Sequence, residues 1–185
     1  MDDERTTYVL VDGENIDATL GTGILNRKPR SDERPRWDRV LTFAEEKWQQ
    51  PVKGLFFLAA HYELPMPFVQ ALIALGYRPV PLSGRADEKV VDIAIQRTLV
   101  ELRRREADVM LVSHDGDFIE QLADICDGRD VAVVGFGEFR SSAYRELVER
   151  GLEFYDLEYE VQAFTARLPR VRIIPIEEFD PLEFL

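Results

Sequence analysis

Apolar, β-branched runs alternate with segments of helical period along most of the chain. The runs fall at residues 8–11, 52–60, 77–81, 109–113 and 131–135. Between them, apolar positions recur at helical spacing near 37–50, 67–75, 88–105 and 117–127. A further helix is expected at 141–150, then a short strand at 153–156. Strand–helix alternation of this kind implies right-handed βαβ crossovers and a mostly parallel sheet covered on both faces. "VKGLFFLAAHY" and "DVAVVGF" are apolar without alternation, as strands buried on both sides should be. Gly76 and Gly128 stand where helices should end, and Ser141 or Ser142 can cap the last helix. Two stretches break the pattern. Residues 21–36 form a polar loop containing Gly, Pro and Arg. Residues 168–185, "LPRVRIIPIEEFDPLEFL", mix apolar and acidic side chains with prolines that exclude a long helix.

At 185 residues the chain suits one core rather than two, so residues 1–167 are expected to form one domain and 168–185 a tail. The tail can lie on the domain, add an edge strand through "VRIIPI", or pair with a second subunit or another protein. No apolar run reaches the length of a membrane helix, and "MDDERTTYVL" lacks a secretory pattern. The single cysteine, Cys126, forms neither an internal disulfide nor a zinc site, and a cytoplasmic setting is expected. The net charge of −12 is unlike that of a nucleic-acid coat. Residues 27–39 nevertheless gather Arg27, Lys28, Arg30, Arg34, Arg36 and Arg39 against Asp32, Glu33 and Asp38.

The chemistry concentrates in carboxylates. In an open parallel sheet the site forms at the carboxyl ends of the strands. Asp12 directly follows the first strand, Asp115 and Asp117 follow the fourth, and Asp92 opens the helix after the third. Crowded acids raise one another's pKa and oppose folding unless a cation joins them. Oxygen donors without clustered Cys or His favour Mg²⁺ or Mn²⁺ over Zn²⁺. Such an ion grips a phosphate oxygen and activates water.

"YVLVDGENI", "EKVVDIAI", "LVSHDGDFIEQL" and "VAVVGFGEFRSSAYRELVERGLEFYDL" together resemble the NYN domain, in the LabA-like branch of the PIN-like nucleases. The resemblance runs from about residue 8 to residue 157. It implies a PIN-like three-layer α/β/α sandwich and a divalent-metal-dependent phosphodiesterase acting on RNA, leaving 5′-phosphate and 3′-hydroxyl ends. Carried over, Asp12, Asp92, Asp115 and Asp117 would be the catalytic, metal-holding acids. Asn15 matches the motif's asparagine, and Lys89 is the basic residue just before the helix acid. His114 is a departure, since many relatives have glycine there.

Each residue has a plainer role beside this one. Asp12 can form a turn in "DGEN", Asn15 can cap a helix, and Asp117 can cap the helix it precedes. Asp92 can lie on a solvated helix face. His114 can touch a phosphate or simply sit in the loop. Arg27, Lys28 and Arg30 can hold an RNA backbone or wave in solvent. Phe136, Phe139 and Tyr144 can stack on bases or pack inside. Three functions compete. The first is a metal-dependent ribonuclease acting on RNA, read as single-stranded. The second is a catalytically weak or inactive RNA-binding adaptor with the same fold. The third, a phosphatase, suits the chain poorly, because its paired aspartates would follow the first strand.

Overall fold

All six expected strands form, and they pair into one parallel sheet in the order β3–β2–β1–β4–β5–β6. The computed structural model describes residues 4–61, 63–171 and 173–185. The strands are β1 (Thr6–Asp12), β2 (Val52–Ala59), β3 (Tyr77–Leu82), β4 (Ala107–Val112), β5 (Val131–Gly135) and β6 (Leu152–Asp156). Between and after them run α1 (Gly13–Ala18), α2 (Trp37–Trp48), α3 (Met66–Ala74), α4 (Val90–Leu102) and α5 (Ile119–Ile125). The central strands β4 and β5 are buried at every position, which is why their sequences are apolar without alternation.

Side chains alternate across the sheet and build a core on each face. Val9, Val11, Phe56, Met110 and Val134 point to the side covered by α1, α2, α3 and the returning segment after β6. Leu10, Phe57, Val109, Leu111 and Val133 point to the side covered by α4, α5 and residues 142–150. Gly76 and Gly128 hold φ of 99° and 104°, the left-handed backbone that ends the helices before β3 and β5.

Strand order reverses between β1 and β4. From β1 the chain winds outward to β2 and β3, and from β4 outward to β5 and β6. The crevice between the carboxyl ends of β1 and β4 is therefore the topological switch point, where ligands of open α/β sheets bind. Register puts Val11 beside Val112, so Asp12 and Ser113 emerge together there.

β3 is an edge carrying Pro79 and Pro81. The Leu82 carbonyl accepts from Ala60 N (2.7 Å), so even positions face β2 and both prolines face outward. Their missing N–H groups cost no ladder bond and blunt the edge against further strands.

Two expectations are corrected, and one of the alternatives for the tail is narrowed. Residues 21–36 are not a loop throughout: α1 continues as a wide helical turn, Thr19–Leu25, ending at Asn26 with φ 57°. Ile16 and Leu20, one turn apart, are buried and pin it. A Cβ at Gly23 would stand 2.8 Å from the Phe139 ring, so this glycine serves close packing. Ser142–Arg150 winds as 3-10 turns capped by Ser141. Three residues per turn place Tyr144 directly above Leu147, and both are buried. "VRIIPI" forms no strand among its described residues, with Arg172 outside them. The tail has only short 3-10 turns at Ile176–Glu178 and Pro181–Glu183.

Candidate metal centre

Asp92, Asp115 and Asp117 meet at the carboxyl ends of the strands, each offering an oxygen within 4.8 Å of the others. They arrive from two elements. α4 buries Val91, Ile95, Leu99 and Leu102 against the sheet, which turns Asp92 off the apolar stripe toward the crevice. The loop leaving β4 carries the other two. Asp115 Oδ1 accepts from the Asp117 amide (3.3 Å), so Asp115, not Asp117, caps the turn that precedes α5. Tyr144 O–H donates to the Asp115 carbonyl and fixes this loop from below.

Asp12 lies behind the three, almost fully buried at 3% exposure. Its Oδ2 accepts from Ser113 Oγ (3.0 Å), and Ser113 Oγ in turn accepts from the Asp115 amide (3.2 Å). Asp12 is thus tied to the loop that presents Asp115, although it is not within the group of three. Burial raises its carboxyl to about 6. The Ser113 hydrogen bond opposes the rise, and Asp92 and Asp115 add to it. Asp92 is also raised to about 6, first by burial and then by Asp115 and Asp117, with Lys89 pulling it down.

Lys89 is the local counter-charge. Its Nζ lies 3.2 Å from Asp117 Oδ2 and 3.9 Å from Asp92 Oδ2, on a side chain 73% exposed. The acids raise its pKa, with the Asp117 hydrogen bond first. This solvated ammonium neutralises one charge of the group and leaves the rest opposed.

Asn15 is the third residue of α1 and so does not cap it. Its Oδ1 accepts from His114 N (2.8 Å) and pairs with His114 Nδ1 (2.9 Å). His114 does not face solvent. Its Nε2 accepts from the Phe136 amide (2.7 Å), which leaves the ring proton on Nδ1 to donate to Asn15. Thr19 Oγ1 stands 3.1 Å from the same nitrogen. Burial lowers His114 to about 4, so the ring is neutral near pH 7. Two donors on Oδ1 fix the Asn15 amide with its NH₂ as the end open to a ligand.

The loop cations lie apart from this arrangement. Arg27 forks onto Glu33 (2.7 and 2.5 Å), and Arg30 pairs with Glu33 (3.1 Å) and Asp32 (3.5 Å). Lys28 is exposed. Among the described residues, no hydrogen bond or ion pair joins these three to the carboxylates. Phe136 and Tyr144 are fully buried, and only Phe139 keeps an exposed ring.

Arg170 escaped the sequence reading. Its side chain is 1% exposed and bonds Glu138, Asp156 and Glu158 at 2.5–3.1 Å. It stacks on Phe136 (4.8 Å), which stacks in turn on His114 at 5.6 Å. An arginine inside "LPRVR" carries no local sign of burial, because its three acids come from two distant segments.

The donor set is three carboxylates without sulfur or imidazole, which fits a hard divalent ion. Raised carboxyls at Asp12 and Asp92 are the electrostatic mark of a site short of positive charge.

Comparison with known proteins agrees with the fold. The family model of the NYN domain matches residues 6–158. No curated protein matches. A crystal structure of a protein of unknown function from Vibrio parahaemolyticus superposes with a TM-score of 0.63 at 19% identity, covering 86% of this chain and 97% of that one. At that identity the likeness concerns the fold alone. Among the described residues, no helix is long and apolar enough to cross a membrane.

Proposed function

The chain belongs to the NYN domain family, within the PIN-like nuclease superfamily, and from that premise we propose that it is a metal-dependent ribonuclease of the LabA-like branch. The observation that carries this reading is the convergence of Asp92, Asp115 and Asp117 at the switch point of the sheet. Mg²⁺ or Mn²⁺ held there would neutralise the acids, polarise a phosphate oxygen and activate water.

The chain's own groups take the following parts. Asp92, Asp115 and Asp117 would hold the ion, and Asp12 braces Ser113 and the Asp115 loop from behind. Lys89 exchanges its carboxylate partners for the substrate's phosphate, which its exposure allows. The Asn15 NH₂, set by His114, donates to a phosphate oxygen. His114 acts by positioning, since both ring nitrogens are occupied within the fold. Arg27 and Arg30 would have to leave Glu33 to engage RNA, so Lys28 is the cation of that loop most ready for a backbone contact. The reaction is in-line hydrolysis of an RNA phosphodiester.

Incubation with labelled single-stranded RNA and Mn²⁺ tests this. Wild type should cleave, chelation should stop cleavage, and Asp115→Asn should lose at least about 100-fold in rate, because one ion ligand is gone. Equal cleavage by wild type and Asp115→Asn would refute the assignment.

One observation favours a second reading. Lys89 already compensates part of the cluster without any ion, as a non-catalytic RNA-binding adaptor would need. RNA binding without turnover that persists in Asp12→Asn would select it.

A further inference from the structure

At the opposite pole of the sheet, on the α4 face, a groove of about 680 Å³ opens over the amino ends of β1, β2 and β3. It arises because α4 covers β1 and its neighbours but leaves the outer strands half open: Leu55 and Val80 are only partly buried. Tyr8 and Leu55 form its apolar floor, and Lys53, Arg78, Arg97 and Arg105 line it. Glu101 is the one acid of the lining, and Arg104 holds it at 3.1 Å. None of the four cations has a carboxylate partner among the described residues, and Lys53 instead lies over the Tyr8 ring at 5.8 Å. In a chain of net charge −12, four unopposed cations around an apolar floor are a local inversion of sign.

A segment with the opposite character exists in the same chain. Residues 173–185, "IIPIEEFDPLEFL", carry four acids and no base. Three of their apolar side chains lie largely in water: Ile173 is 98% exposed, Ile176 78% and Leu182 79%, whereas Ile174 is half-buried and Phe179 packs on Phe184 at 5.7 Å. Isolated exposed apolar residues are ordinary, but a run of them interleaved with acids is a surface awaiting cover. We propose that residues 173–185 of one copy dock in the Lys53/Arg78/Arg97/Arg105 groove of a second copy, with Ile173, Ile176 and Leu182 on Tyr8 and Leu55 and with Glu177 and Asp180 on the groove's cations.

Reach argues for a second copy over the same one. Arg170 anchors the segment at the carboxyl end of β6, on the α2 face. The groove lies about four strand spacings and one strand length away, on the other face. Fully extended, residues 171–185 span at most about 50 Å. Following the surface around the domain would use most of that length and leave little to dock. The groove's apolar floor, and its place at the pole opposite the carboxylates, favour a peptide over an RNA strand. This inference is independent of the catalytic reading.

Two full-length variants test it by mass in solution (sedimentation velocity or light scattering), with circular dichroism confirming the fold. Arg97→Glu/Arg105→Glu reverses the groove, and Glu177→Lys/Asp180→Lys reverses the segment. Wild type should self-associate, and each variant alone should do so at least about tenfold more weakly. An equimolar mixture of the two should associate again, because the unaltered segment of one meets the unaltered groove of the other. A wild type that stays monomeric, or a mixture no better than its components, would overturn the proposal. So would a groove variant that keeps its association but loses retention of single-stranded RNA, which would assign the groove to nucleic acid.

Discussion

Two aspartates stand almost fully buried at the two poles of the sheet, and they meet opposite fates. Asp108, on β4 near its amino end, is 1% exposed, and Asp12, at the carboxyl end of β1, is 3% exposed. Burial pushes both carboxyls up. Around Asp108 the fold outweighs burial: Arg5 donates twice (2.8 and 2.7 Å), Gln50 once (2.7 Å) and the Asp130 amide once (2.9 Å). Its pKa ends below the usual value. Around Asp12 the fold supplies only the Ser113 hydroxyl and the pull of the Asn15 backbone N–H and then adds Asp92 and Asp115, so burial carries the carboxyl up to about 6. One pole solves its charge problem with the chain itself. The other leaves it open, and an unsolved charge at a topological switch point is what a cation site looks like before the cation arrives.

Replacing each acid should separate the two poles. Asp108→Ala removes the acceptor for four donors and should cost about 3 kcal/mol in urea unfolding. Asp12→Asn should do the reverse without metal, stabilising the protein by about 2 kcal/mol at pH 7. The sign follows from the raised pKa. The folded state holds a proton that the unfolded chain releases between about pH 4 and 6. Wild type therefore loses stability as pH rises through that window, and the asparagine variant escapes the loss. Below pH 4 Asp12 is protonated in both states, and the two proteins should converge. Destabilisation by Asp12→Asn at pH 7 would erase the contrast. A smaller effect sharpens it. Mn²⁺ affinity, read by calorimetry, should weaken at least about tenfold from pH 7 to pH 5, because Asp12 and Asp92 take up protons there. Affinity independent of pH would place the ion elsewhere.

The two poles also differ in how far they can be read from sequence. Asp12, Asp92, Asp115 and Asp117 were visible because each follows or opens an element whose apolar pattern is plain. Strand–helix alternation then sends them toward one edge. Asp108 was hidden: "EAD" reads as the end of a loop, and its partners Arg5, Gln50 and Asp130 come from three remote segments. The burial of His114 and Arg170 is hidden for the same reason, since tertiary partners rather than neighbours decide it. The helical start of the 21–36 stretch is obscured by Gly21 and Gly23. Those glycines suggest turns, yet at Gly23 the fold uses the missing side chain to admit Phe139. Strand period and acid position are local properties. Charge compensation is a property of the folded whole.

The central claim is that Asp92, Asp115 and Asp117 share a divalent ion. Crystals soaked in MnCl₂ and measured at a wavelength where manganese scatters anomalously test it most directly. A peak within bonding distance of all three carboxylates is the predicted result. A manganese peak elsewhere with none among these aspartates, or Lys89 still seated on Asp117 under saturating metal, would contradict it.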